Sequence, residues 1–230
     1  MLKRTVTALS ARRFILCRHG ETNFNAVGRI QGTLDTSFLN LNGVTQAGGL
    51  GKYLTLATKN DEIDIKKIYV SPMTRARQTL SICKSILESH DIKLPSEIIL
   101  KELREIELSS WQGKLKDDLI KEHPSEWETW KSDPENFSIE GFNPLKELWS
   151  RVDTSWSTIL TNNKAGDTLI VCHGALGKCM IQKAVGVRDF RDVKYGLRNC
   201  EAIEIIPEEK KWRRLYPESG EWIYGEKLIK

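Results

Sequence analysis

Apolar positions along this chain fall into two alternating spacings. Arg13 to Cys17 (RFILC) is a largely apolar run of strand length, closed by Gly20 and the polar residues behind it. From Leu41 to Leu56 the apolar residues Val44, Ala47, Leu50 and Leu54 recur three or four apart, which predicts a helix with Asn42 as its N-cap. The unit then repeats. Lys67 to Val70 reads as a second strand stopped by Ser71-Pro72, and Thr74 to Glu88 as a helix with Ala76, Leu80, Cys83 and Leu87 on one face. Glu97 to Leu100 is a third, short strand.

After Gly113 the pattern changes. Lys114 to Ser132, charged and carrying Trp127 and Trp130, predicts two short helices, and Asn143-Pro144 supplies a cap and first-turn proline for a long helix to about Thr161. Thr168 to Cys172 (TLIVC) is apolar throughout, as expected of a strand covered on both faces, and is followed by Gly174 and a helix from Ala175 to Val185. Residues 200–206 and 211–216 read as a hairpin around the Glu208 to Lys211 charge run. Strands alternating with helices predict an α/β fold: a wound, mostly parallel sheet with helices on both faces and a helical insertion, about 114–142, over one end. With no repeat, linker or low-complexity tract, the chain reads as a short arm over 1–12 and one domain over 13–230.

Composition narrows the partners. At 230 residues with 40% hydrophobic positions the chain can bury a core without disulfides or a structural metal. No apolar run approaches the roughly 18 residues that span a bilayer, so no membrane partner is expected. Lys and Arg number 35 against 31 Asp and Glu, a net +4 too balanced for nucleic-acid binding by counterion release, while small anions stay open as ligands. Five cysteines, 17, 83, 172, 179 and 200, with no C-x-x-C pair point to reduced thiols and a cytoplasmic setting. The basic, acid-free opening Met1 to Arg13 makes a plastid the alternative.

In open α/β sheets ligands sit beyond the carboxyl ends of the strands. The first strand ends in Cys17-Arg18-His19-Gly20-Glu21-Thr22, the second in Ser71 to Arg75, the third runs into Leu103-Arg104-Glu105, and TLIVC ends in His173-Gly174. That edge gathers two imidazoles, several guanidiniums and a carboxylate. A neutral imidazole is a nucleophile that can carry a phosphoryl group, and arginine's fork matches phosphate oxygens in pairs. One general acid supplies about 10² to 10⁴ in rate, whereas phosphate-monoester hydrolysis calls for accelerations up to ~10²¹, so the cationic clamp and the covalent detour must carry most of it. Glu105 and Glu107 stand two apart on extended chain, and on geometry alone either is the acid.

Arg18-His19-Gly20-Glu21-Thr22 with Asn25, then Arg29, Gly32 and Asp35, resembles the signature of the histidine phosphatase superfamily, the phosphoglycerate mutase-like proteins. The resemblance runs on through Ser71-Pro72 with Arg75, Leu103-Arg104-Glu105, Trp111-Gln112-Gly113 and His173-Gly174, nearly the whole chain in order. It implies that His19 is the phosphorylated nucleophile, that Arg18, Asn25, Arg75, His173 and Gly174 form the phosphate pocket, and that Glu105 is the proton donor and then the base. The segment from Trp127 through Pro144 to Arg151 is similar to plant carboxyarabinitol-phosphate phosphatases of that superfamily. The implied substrate is a small phosphate ester, a sugar phosphate or similar, with no metal or other cofactor.

Two departures favour a phosphatase over a phosphoglycerate mutase: Ile106 and Glu107 stand where mutases carry a basic residue, and Ala175 where they carry an asparagine. Ser109 and Ser110 replace glycines near Glu105. A mutase and a non-catalytic phosphate-binding module are the alternatives. A zinc site from Cys17, His19, Cys172 and His173 is disfavoured because both cysteines lie inside apolar runs. Gly48-Gly49-Leu50-Gly51-Lys52 lacks the Ser/Thr of a phosphate loop and reads as close helix packing. Lys210 to Arg214 reads as a solvated hairpin rather than an RNA contact, and His90 and His123 as solvated helix ends.

Overall fold

The computed structural model describes residues 12–163 and 166–225. Most of the arm expected at 1–12 therefore lies outside the described residues. Seven strands form one sheet in the order β3-β2-β4-β1-β5-β6-β7. The strands are β1 (Arg13–Arg18), β2 (Ile65–Val70), β3 (Glu97–Ile99), β4 (Asp167–Cys172), β5 (Ala202–Ile206), β6 (Lys211–Tyr216) and β7 (Ile223–Tyr224). The first four in spatial order are parallel, and β5, β6 and β7 continue antiparallel.

Alternation along the central strands explains their unbroken apolar runs. Phe14 and Leu16 of β1 and Ile170 and Cys172 of β4 face one core, packed under α6 (Pro144–Asn162) and α7 (Gly174–Val185). Ile15, Cys17, Leu169 and Val171 face the other, against α2 (Leu41–Lys59) and α3 (Thr74–Glu88). Period-two geometry thus needs an apolar residue at every position once both faces are covered. The same alternation sends Cys17 and Cys172 to opposite faces of the sheet, so they cannot converge on one zinc ion.

Helix α2 starts at Leu41 as its spacing predicts, but its cap lies two residues before the expected one. Asn40, not Asn42, is the N-cap, its side chain accepting from Gly43 N at 2.8 Å, while Asn42 donates to Glu21. The glycine run inside α2 serves packing as expected: a Cβ on Gly51 would stand 3.1 Å from Cys83 Cα of α3. Helices α4 (Lys116–Glu122) and α5 (Pro124–Ser132) form the insertion. Trp111, Leu119 and Phe137 join the α6/α7 core, with Trp127 and Trp130 packed against it. In the hairpin Trp212 is buried, and Arg213 and Arg214 pair with Glu204 and Glu201.

Topology positions the site. Strand β4 lies between β1 and β2, so residues following three adjacent strands line up: Ser71 after β2, His173 after β4, and Arg18 and His19 at the end of β1. The ladder extends into them, Ser71 N donating to Val171 O and His19 N to Cys172 O, both at 3.0 Å.

Candidate active site

His19 and His173 face each other with ring centroids 5.2 Å apart, in an edge-on arrangement. Both are buried, at 2% and 0% exposure. His19 Nδ1 lies 2.7 Å from Gly20 O, a carbonyl that can only accept, so the ring proton sits on Nδ1 and Nε2 keeps its lone pair. Burial, with Arg18 and Arg75 adding repulsion, holds the His19 pKa well below its ordinary 6.5. The backbone around it is tied on three sides. Asn199 Nδ2 and Cys200 N donate to His19 O, and Gly20 N donates to Thr79 Oγ1 of α3.

His173 is shifted the same way, by burial first and then by Arg75, His19, Arg18 and Arg151. Its Nε2 is 2.7 Å from Ser71 Oγ, which also accepts from Met73 N. With the Ser71 hydroxyl donating to Nε2, the imidazole proton stays on Nδ1, an atom with no hydrogen-bond partner in the protein. Arg18 Nε and Arg75 Nε are likewise buried donors without acceptors. Orphaned donors of this kind cost about 1–3 kcal/mol each, and a shared oxyanion would satisfy them.

Arg75 opens α3 at 0% exposure, its guanidinium held by Gly32 O at 2.8 Å and Leu34 O at 2.9 Å. Burial pulls its pKa down to about 10, still cationic at neutral pH. Arg18 donates to Leu197 O, and a Cβ on Gly174 would come within 3.4 Å of its Cζ. Gly174 packs against Arg18, and neither Gly174 nor His173 is among the residues lining the cavity, His173 reaching the site through His19. Asn25 Oδ1 accepts from Thr22 N at 3.2 Å in the capping box of α1 (Asn23–Ala26), leaving the amide nitrogen as its free donor.

Glu105 reaches the start of α7. Its carboxylate accepts from Ala175 N at 3.1 Å and from Leu176 N at 3.0 Å, a favourable place for an anion, and from its neighbour Ile106 N. Arg18, His19, Asn25, Arg75 and Glu105 together line a cavity of about 170 Å³, with Arg29, Ile30 and Leu108 at its wall. A larger groove of about 640 Å³ along the outside of α3 contains none of these residues. Of the two carboxylates the sequence leaves open, only Glu105 lines the cavity.

Sequence spacing does not reveal the supports. Arg151 of α6 donates to the carbonyls of Glu102, Arg104 and Glu105, clamping the loop that presents the carboxylate. Its signal is weak, a single arginine one turn after Glu147, with which it pairs. Asn199 and Thr79 give no signal, since each acts through one contact remote in the chain.

Known proteins resemble the chain over most of its length. A family model described as the histidine phosphatase superfamily (branch 1) matches residues 14–217. The chain is 32% identical over 204 residues to a "Probable 2-carboxy-D-arabinitol-1-phosphatase" of Arabidopsis thaliana, covering 87% of this chain and 39% of that protein. It thus spans about two fifths of that relative. A "Probable phosphoglycerate mutase" of Escherichia coli is 28% identical over 207 residues, 86% of each chain. The fold is shared with a mycobacterial glucosyl-3-phosphoglycerate phosphatase solved with VO3, at TM-score 0.71 and 21% identity over 89% of this chain and 98% of that one.

Proposed function

The chain belongs to branch 1 of the histidine phosphatase superfamily, and on that footing we propose that it is a metal-independent phosphomonoesterase acting on a small phosphorylated metabolite through a phosphohistidine. The observation that carries the reading is His19: a buried neutral imidazole, its Nδ1 proton on Gly20 O, with two arginines and a second imidazole around it.

His19 Nε2 attacks phosphorus as the bond to the leaving oxygen breaks. Arg18, Arg75, Asn25 and His173 Nδ1–H hold the phosphoryl oxygens, and Glu105, which enters this step as the carboxylic acid, delivers its proton to the departing alcohol and is left as the carboxylate. Water then attacks phosphorus, Glu105 takes that water's proton, the N–P bond breaks, and phosphate and neutral His19 are regenerated. Charge on the equatorial oxygens meets preformed cations in a buried site, where such interactions are strongest. Relatives named for 2-carboxy-D-arabinitol 1-phosphate and glucosyl-3-phosphoglycerate support a sugar-phosphate-like ester.

The test is phosphate release from a panel of phosphate esters. Turnover persists in EDTA, and His19→Ala removes it by about 10⁴-fold or more, as loss of a covalent nucleophile does. EDTA-sensitive hydrolysis overturns the reading. Interconversion of 3- and 2-phosphoglycerate without net phosphate release identifies a mutase instead, the activity for which the E. coli relative is named.

A further inference from the structure

Glu107 lies two residues beyond Glu105 on the same loop, takes no place in the cavity lining, and yet spends both carboxylate oxygens on partners. Its Oε1 accepts from Ser109 N at 3.1 Å and from Gln112 Nε2 at 2.6 Å. Its Oε2 is the acceptor of Thr33 Oγ1. Gln112 in turn accepts from Thr33 N through its Oε1. This contact requires glycine at 32, where φ is +53° and any Cβ would collide with the Gln112 amide.

Thr33 stands between Gly32 and Leu34, the two residues whose carbonyls hold the Arg75 guanidinium. One residue further, Asp35 accepts from Thr74 N at 2.6 Å and Oγ1 at 2.8 Å, at the start of the helix that carries Arg75. The contacts close a circuit: from Glu105 along the backbone to Glu107, across to Thr33, through two carbonyls to Arg75, and back through Thr74 and Asp35 to the same loop. We infer that Glu107, acting through Gln112 and Thr33, is a positioning residue that sets the proton donor's carboxylate against the phosphate-holding arginine. The inference rests on the hydrolytic reading with Glu105 as acid.

A loosened circuit misaligns the acid relative to the bound phosphoryl group. That matters for an alkyl ester, whose leaving oxygen needs a proton, and little for p-nitrophenyl phosphate, whose phenolate leaves without one. Gln112→Glu sets two carboxylates against each other, and Thr33→Val removes one hydroxyl at constant shape. In both, kcat/KM on glycerol 3-phosphate is expected to fall at least tenfold further than on p-nitrophenyl phosphate, within the about 10²–10⁴ that a general acid supplies. The exchange Glu107→Gln with Gln112→Glu restores an amide facing a carboxylate and recovers most of the loss.

Equal losses on the two esters, or no recovery in the exchanged protein, overturn the inference, because a merely structural role would penalise both esters alike. If the wild type hydrolyses neither these two nor any other ester of the panel, the hydrolytic reading fails by itself. The circuit is then decided by calorimetric binding of inorganic phosphate: weakened in Gln112→Glu and regained on exchange supports it, and unchanged affinity in Gln112→Glu overturns it.

Discussion

Removal from water pushes His19 and Arg75 the same way, toward the uncharged form, with different outcomes. Burial keeps the imidazole neutral, which makes it nucleophilic, and pulls the guanidinium down only to about 10, which leaves it cationic. Two consequences follow for the pH profile of kcat/KM. Protonation of His19 contributes no acid limb near the ordinary 6.5, because its proton is bound only at much lower pH. Arg75 keeps its charge across the working range, because a guanidinium holds its proton in proteins even where burial pulls its pKa down, so the phosphate clamp adds no alkaline limb. An assay of kcat/KM from pH 5 to 9 checks both, and a His19 limb near 6.5 would contradict the first. His19 is legible in the sequence because it follows directly on a strand-length apolar run, and Arg75 because it lies in the first turn of the helix after the second strand. Arg151, Asn199 and Thr33 are not, since their effect depends on contacts made across the fold, and nothing in their neighbours marks them.

The elements are legible to the degree that their signals are local. Helix α3 matches its apolar spacing from Thr74 to Glu88, and α6 starts at Pro144 behind its Asn143 cap. The cap of α2 is misread because two asparagines compete for it: both donate to Glu21, and only Asn40 has its Oδ1 on Gly43 N. Inside α2 the glycines separate into two kinds. Gly51 touches α3 and has no room, whereas a Cβ on Gly48 would only reach Ile86 Cδ1 at 4.0 Å. Gly51→Val should therefore lower stability by about 1–3 kcal/mol through overpacking. Gly48→Ala should raise it by up to about 1 kcal/mol through helix propensity. Urea midpoints at constant slope separate the two, and equal shifts would contradict the packing described.

At the scale of the whole molecule the buried imidazole pair links function to stability. In the unfolded chain both histidines take up protons below about 6.5, while in the folded state both remain neutral to well below it. The unfolded state then binds more protons, so stability is fully present above that value and is lost as pH falls below it. Unfolding midpoints measured at pH 7.5 and 5.5 should show the decline, and it should shrink in a protein carrying His19→Asn with His173→Asn. The overall α/β plan is legible from alternating spacings, but the strand order is not, because no local pattern tells β4 to enter between β1 and β2. That insertion has a consequence for a chain leaving the ribosome. Until residue 172 is made, the middle of the sheet lacks a strand, and the nucleophile has no opposite imidazole and only part of its anion cradle. Captured phosphate can therefore reward only a finished fold, since a ligand that binds the native state alone stabilises that state alone.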